Sequence, residues 1–104
     1  MTAWAPISLS DLLLEIRKAE KNMSPFIHDY WQQIKISPVK WQESSYGREG
    51  NDFWVVARQN NWVLYYNDIE EGFNYSTFER EGIIKDYFAE QDDLHFALLK
   101  LNQL

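Results

Sequence analysis

Residues 52–78 read DFWVVARQNNWVLYYNDIEEGFNYSTF, and this run constrains the fold more than any other stretch. Two segments rich in β-branched and aromatic residues flank Asn60-Asn61, and a third follows Glu70-Glu71-Gly72. Such residues suit a pleated, half-buried backbone, and Asn tolerates the positive φ of a tight hairpin loop. The pattern predicts antiparallel strands at Asp52–Gln59 and Trp62–Ile69, joined by a type I′ turn, with another strand at Phe73–Phe78. A two-residue loop then pairs Ala57 with Leu64, Val55 with Tyr66 and Phe53 with Asp68, and these share one face with Trp62. Trp54, Val56, Val63 and Tyr65 fall on the other face, with Arg58 and Asn67. Neither face is plainly polar, although an antiparallel sheet often keeps one wet side. Either helices cover both sides, or one aromatic face meets another chain.

Helical signals lie on both sides of this β-rich block. Leu9, Leu12, Leu13 and Ile16 recur at the spacing of one helix face, continued by Ala19 and Met23, behind a capping Ser8 with Asp11 three residues on. Ser24-Pro25 reads as a cap followed by proline at the first helical position. Ile27, Tyr30, Trp31 and Ile34 form the apolar face of that second helix, which must stop before Pro38. Val39–Glu43 is an expected first strand, and Ser44–Asn51 a loop. Gly82 breaks the chain. Residues 83–88 fit helix or strand. Asp92 or Asp93 caps a last helix that turns Leu94, Ala97, Leu98 and Leu101 inward. The expected fold is therefore α+β over one domain, residues 1–104. It has an N-terminal helical pair, an antiparallel sheet of about four strands and a C-terminal helix.

Seventeen aromatic residues give a chain of this length enough apolar area for a core without metals or disulfides. The absence of cysteine favours a reducing compartment, and neither a signal peptide nor a membrane-spanning segment is expected, so the chain reads as cytoplasmic. Residues 1–50 carry six Lys/Arg and six Asp/Glu, whereas residues 51–104 carry four and ten, so the whole net charge of −6 sits in the second half. Such a field disfavours nucleic acid and anionic membrane and speeds encounter with a basic protein. It also serves plain solubility.

The chemistry-bearing residues do not converge in sequence. His28 and His95 lie far apart without metal-ligand spacing, and Asp68, Glu70 and Glu71 lack the spacing of a calcium loop, so neither metal nor cofactor is expected. No serine sits in a nucleophile elbow, and there is no cysteine nucleophile. Gly47-Arg48-Glu49-Gly50 has G-x-x-G spacing without the basic surround that nucleic acid requires. A carboxylate pair drawn from Asp68, Glu70, Glu71 and Glu79 leaves a small hydrolytic enzyme as a third reading.

The run from Trp62 to Ser76, above all the Tyr-Asn-x-x-Glu-x-Gly-Phe-Asn-x-Ser string at Tyr66–Ser76, is followed by Gly82-Ile83-Ile84 and a Leu-rich C-terminus. It resembles small immunity proteins of bacterial polymorphic-toxin and contact-dependent inhibition systems. The resemblance covers about the last half of the chain. It implies a cytosolic protein that neutralises a cognate toxin by direct binding, without catalysis, and it carries no contact residue over by position. From the residues themselves, Asp68, Glu70 and Glu71 at a strand end and turn are the expected contact charges toward a basic partner. Trp54 or Tyr65, where exposed, is the aromatic anchor beside them. A dimeric interaction module, joined through the aromatic sheet face, is the second reading.

Overall fold

The computed structural model describes residues 6–43, 52–86 and 90–104, so the Ser44–Asn51 loop and the G-x-x-G stretch lie outside the described residues. Helix α1 spans Leu9–Lys21 and α2 spans Pro25–Ile34. Ser8 caps α1 by accepting from the Asp11 N–H, and Ser24 caps α2 by accepting from the Ile27 N–H ahead of Pro25. Helix α3, Leu94–Leu101, starts at Asp93, whose carboxylate accepts from the Phe96 N–H. Helices α2 and α3 turn the apolar faces expected of them inward, whereas α1 buries Leu12 and Ile16 but leaves Leu9 of its expected face exposed and Leu13 half-buried. Leu12, Ile16, Ile27, Trp31, Ile34, Leu94, Ala97, Leu98 and Leu101 form one buried cluster with Val56, Ala57, Leu64 and Phe73 of the sheet.

That sheet has five strands: β1 Lys35–Glu43, β2 Phe53–Gln59, β3 Trp62–Asn67, β4 Gly72–Thr77 and β5 Ile83–Ile84, in the order β4-β3-β2-β1-β5. Four are antiparallel neighbours, as expected. The fifth runs parallel to β1 at Gln42 and Glu43, so the sheet is mixed rather than wholly antiparallel. Strand β1 also starts earlier than Val39, directly at the end of α2.

The hairpin loop is Asn60-Asn61, with Gln59 opposite Trp62 and Ala57 opposite Leu64. Only Asn60 takes positive φ, at 54°, so the loop is not the type I′ turn that needs it at both positions. Beyond Ala57 the expected register fails. Val55 lies opposite Tyr65 and Trp54 opposite Tyr66, because Val56 is an extra residue on β2. A β-bulge of this kind shifts every preceding side chain to the opposite face. Trp54 and Val56 therefore join Ala57, Leu64 and Tyr66 under the helices. Phe53 and Val55 instead join Val63 and Tyr65 on the far face.

Among the described residues no helix covers that far face. The chain after β4 turns back over it, bringing Phe78 and Ile84 against Trp41, Phe53, Val55, Val63 and Tyr65. Side chains of β3 and β4 hold the returning backbone. The Ser76 hydroxyl accepts from the Asp86 N–H at 2.8 Å, and the Tyr65 hydroxyl donates to the Asp86 carbonyl at 3.1 Å. The Asn74 amide clamps Glu90 from both sides, accepting from its N–H and donating to its carbonyl, each at 3.0 Å. Phe53, Val55, Val63, Tyr65 and Ile84 are fully buried within the single chain. The aromatic face that could have met a second chain is thus covered by this chain's own backbone. No helix among the described residues is long and apolar enough to cross a membrane.

Candidate functional site

The acidic turn between β3 and β4 closes one end of the sheet. Asn67 organises it: its side-chain oxygen accepts from the Ile69 N–H at 3.1 Å and the Glu70 N–H at 3.3 Å. This local bonding adds to the ladder, whose last rung pairs Asn67 with Gly72, in fixing the turn. Glu71 then takes φ 57°, the left-handed region that a residue with a Cβ normally avoids. Gly72 follows with its backbone pressed against Glu90 and Gln91, leaving no room for a Cβ.

The five residues singled out from sequence do not form one surface. Glu71 is exposed and Glu70 half-buried, and both remain available on the turn. Trp54 is half-buried under the helices, and its indole N–H donates to the Ile7 carbonyl at 3.1 Å. Tyr65 is fully buried on the far face, so it is a core residue and not an exposed anchor. Asp68 is buried too, at 8% exposure, and is not a solvated turn acid. One of its oxygens accepts from the Ile7 N–H at 2.7 Å, while Oδ1 has no hydrogen-bond partner among the described residues. Asp68 and Trp54 together grip both backbone groups of Ile7 and fix the approach to α1.

Burial pushes the Asp68 carboxyl above the ordinary aspartate range, against the opposing pull of the Ile7 N–H, its own N–H and Lys40. A carboxyl raised in the folded state binds its proton more tightly there than in the unfolded chain. Its contribution to stability is full below the unfolded value and is lost as pH rises through the folded one. Asp68→Asn keeps an acceptor for Ile7 and removes the desolvated charge. The variant is expected to melt above the wild type at pH 7, with the gap closing as pH falls toward 3. Thermal melts across that range check it, and a lower melting temperature at pH 7 would count against the assignment.

Glu71 opens onto a groove of about 300 Å³ between α1, the turn and the start of α3. Tyr66 and Phe73 lie in it with ring centroids 4.9 Å apart, and Glu15, Glu71, Asp92 and Asp93 line it. Burial raises the Tyr66 phenol, and Glu15, Glu71 and Asp68 push it the same way, so negative charge converges on this ring. Two of the lining acids are partly neutralised: Glu15 lies 3.8 Å from Lys18, and Asp92 binds Lys100 at 2.6 Å. Glu71 has no such partner among the described residues. Sequence reading passed over Glu15, Asp92 and Asp93 because one lies on a helix face and the others read as caps. The negative balance of the second half was a signal for Asp92 and Asp93 but not for Glu15, which lies in the neutral first half.

Among the described residues no group of three or more His, Asp or Glu side chains is arranged to hold a metal ion. His95 lines the groove, while His28 lies on α2 beside Gln32. Ser76 is buried and committed to the Thr77 carbonyl and the Asp86 N–H. What the groove offers is an open, acidic, aromatic-floored surface on well-fixed backbone. Compared with family models, curated proteins and solved structures, the chain gives no significant match to any of the three.

Proposed function

We propose that the chain is a non-catalytic, cytoplasmic protein-binding domain of the immunity type. In this reading it neutralises a cognate bacterial toxin by laying its acidic turn over a basic active site. The observation that carries the reading is Glu71. A glutamate held at φ 57° costs about 1 kcal/mol relative to glycine, and such strain concentrates at functional positions. Here the strained residue is an exposed carboxylate with no ion pair among the described residues, on a braced turn beside a groove that concentrates the same charge. A rigid anionic surface suits a cationic protein site that normally takes an anionic substrate. The resemblance of Tyr66–Ser76 to immunity proteins points the same way.

The test is co-expression with the partner that the tagged chain captures from its native cells at low salt, in a bacterial host that this partner arrests. Wild type is expected to restore growth. Glu70→Lys with Glu71→Lys is expected to abolish protection and to weaken binding most at low ionic strength. The melting temperature should move only a few degrees, because exposed charges contribute about 0–1 kcal/mol to folding. Protection and affinity unchanged by the double reversal at every salt concentration would remove the turn from the interface.

A further inference from the structure

We propose that the groove between α1 and the open edge of β1 is a second protein-docking surface, receiving an acidic amphipathic helix of a partner protein. This surface is separate from the acidic groove and does not depend on the function proposed for it. Strand β5 pairs with β1 only at Gln42 and Glu43, so the first part of β1 has no outer neighbour among the described residues. Beside that edge, α1, α2 and β1 enclose a groove of about 420 Å³ with Leu13, Ile16, Trp31, Ile36 and Pro38 in its walls.

The occupant is not a strand. The Gln42 N–H points outward to the Gly82 carbonyl at 2.9 Å, so alternation turns Lys40 to the same open side, and before Val39 the β1 register is broken by an irregularity that itself disfavours strand addition. Pro38 has no N–H to donate, and proline with lysine on an edge strand blunts it against strand addition. Recognition must therefore run through side chains, as when the apolar face of a helix enters a groove.

Charge decides what kind of helix. Arg17 and Lys35 stand at the rim, and Arg17 has no ion pair among the described residues. Lys35 reaches Glu20 only at 4.0 Å, and that carboxylate already accepts from the Trp31 indole N–H at 2.7 Å. The surface continues past Arg17 and Glu20, which line both stretches, to Leu14, half exposed among Lys18, Lys21 and His28. This is an apolar strip edged with cations on a chain of net charge −6. Its complement is an apolar helix face flanked by carboxylates.

The experiment titrates the isotope-labelled full chain with a synthetic Leu/Glu amphipathic helix about five turns long. A Leu/Lys counterpart and vesicles of phosphatidylglycerol with phosphatidylcholine serve as the other probes. The Leu/Glu peptide is expected to shift the amide resonances of Leu13 and Ile36 and the Trp31 indole N–H. Arg17→Glu, with Lys35→Glu as the second variant, should weaken it about tenfold or more, while the melting temperature moves only a few degrees because both residues are exposed, more for Lys35→Glu, which sets a carboxylate beside Glu20. High salt should have a similar effect. Groove resonances that stay still, or that respond equally to both peptides, would overturn the proposal. So would a response to the vesicles without one to the Leu/Glu peptide, which would make the surface a lipid contact.

Discussion

Gly72→Ala is expected to destabilise the protein by about 3 kcal/mol or more, lowering the melting temperature by more than ~10 °C. The reason is space. A Cβ at position 72 would meet the Glu90 carbonyl oxygen and lie 2.5 Å from the Gln91 Cα, both backbone atoms that no rotamer change can move aside. The glycine lets two pieces of backbone touch where the returning chain crosses the end of β4, one residue from the bridge between Phe73 and Asp92. Relief would require Glu90 and Gln91 to retreat, which strips the Asn74 clamp from Glu90. Denaturant melts of G72A measure the effect. A loss under ~1 kcal/mol would mean that this crossing is not tight in solution.

Trp31→Ala is expected to cost about 3–5 kcal/mol. Trp31 is 2% exposed and belongs to the cluster that joins α1, α2 and α3 to the sheet. Its truncation opens a cavity between layers and removes the indole N–H that Glu20 accepts from. Trp31→Phe separates the two contributions. It keeps most of the packing, so its loss should be nearer 1–2 kcal/mol, reflecting the hydrogen bond and a modest volume change. Equal losses for the two variants would assign the whole effect to the Glu20 bond and contradict the packing role.

The helices were legible because their signals are local. Ser8, Ser24-Pro25 and Asp93 each announce a helix start, and the apolar spacing of Ile27, Trp31 and Ile34 gives the buried face. The bulge at Val56 was not legible, because Phe53–Ala57 is an unbroken apolar run. With no polar residue to mark a side, alternation cannot register one extra residue, and Phe53, Trp54, Val55 and Val56 were assigned to the wrong faces. β5 stays ambiguous in the sequence, where residues 83–88 fit helix or strand, because its two residues are held by pairing with β1 and not by their own pattern. Asp68 and Tyr65 misled for a related reason. Their burial depends on contacts distant in sequence, with Ile7 for Asp68 and with Asp86 for Tyr65. Of the expected site, Glu70 and Glu71 remain because a turn's exposure is fixed locally. The groove beside them needs α1 and α3 brought together by the fold.

An acidic turn kept for binding at some expense to folding should show both sides of that trade in Glu71→Gly. Glycine relieves the left-handed strain, partly offset by the greater freedom of the unfolded chain, so stability should rise by roughly 0.5–1 kcal/mol. The same change removes the unpaired carboxylate. The measurement is the melting temperature of E71G together with its affinity, at low salt, for the partner captured by the wild-type chain. The account predicts a higher melting temperature and binding weakened by about tenfold. A variant that is more stable and binds as well as the wild type would contradict it.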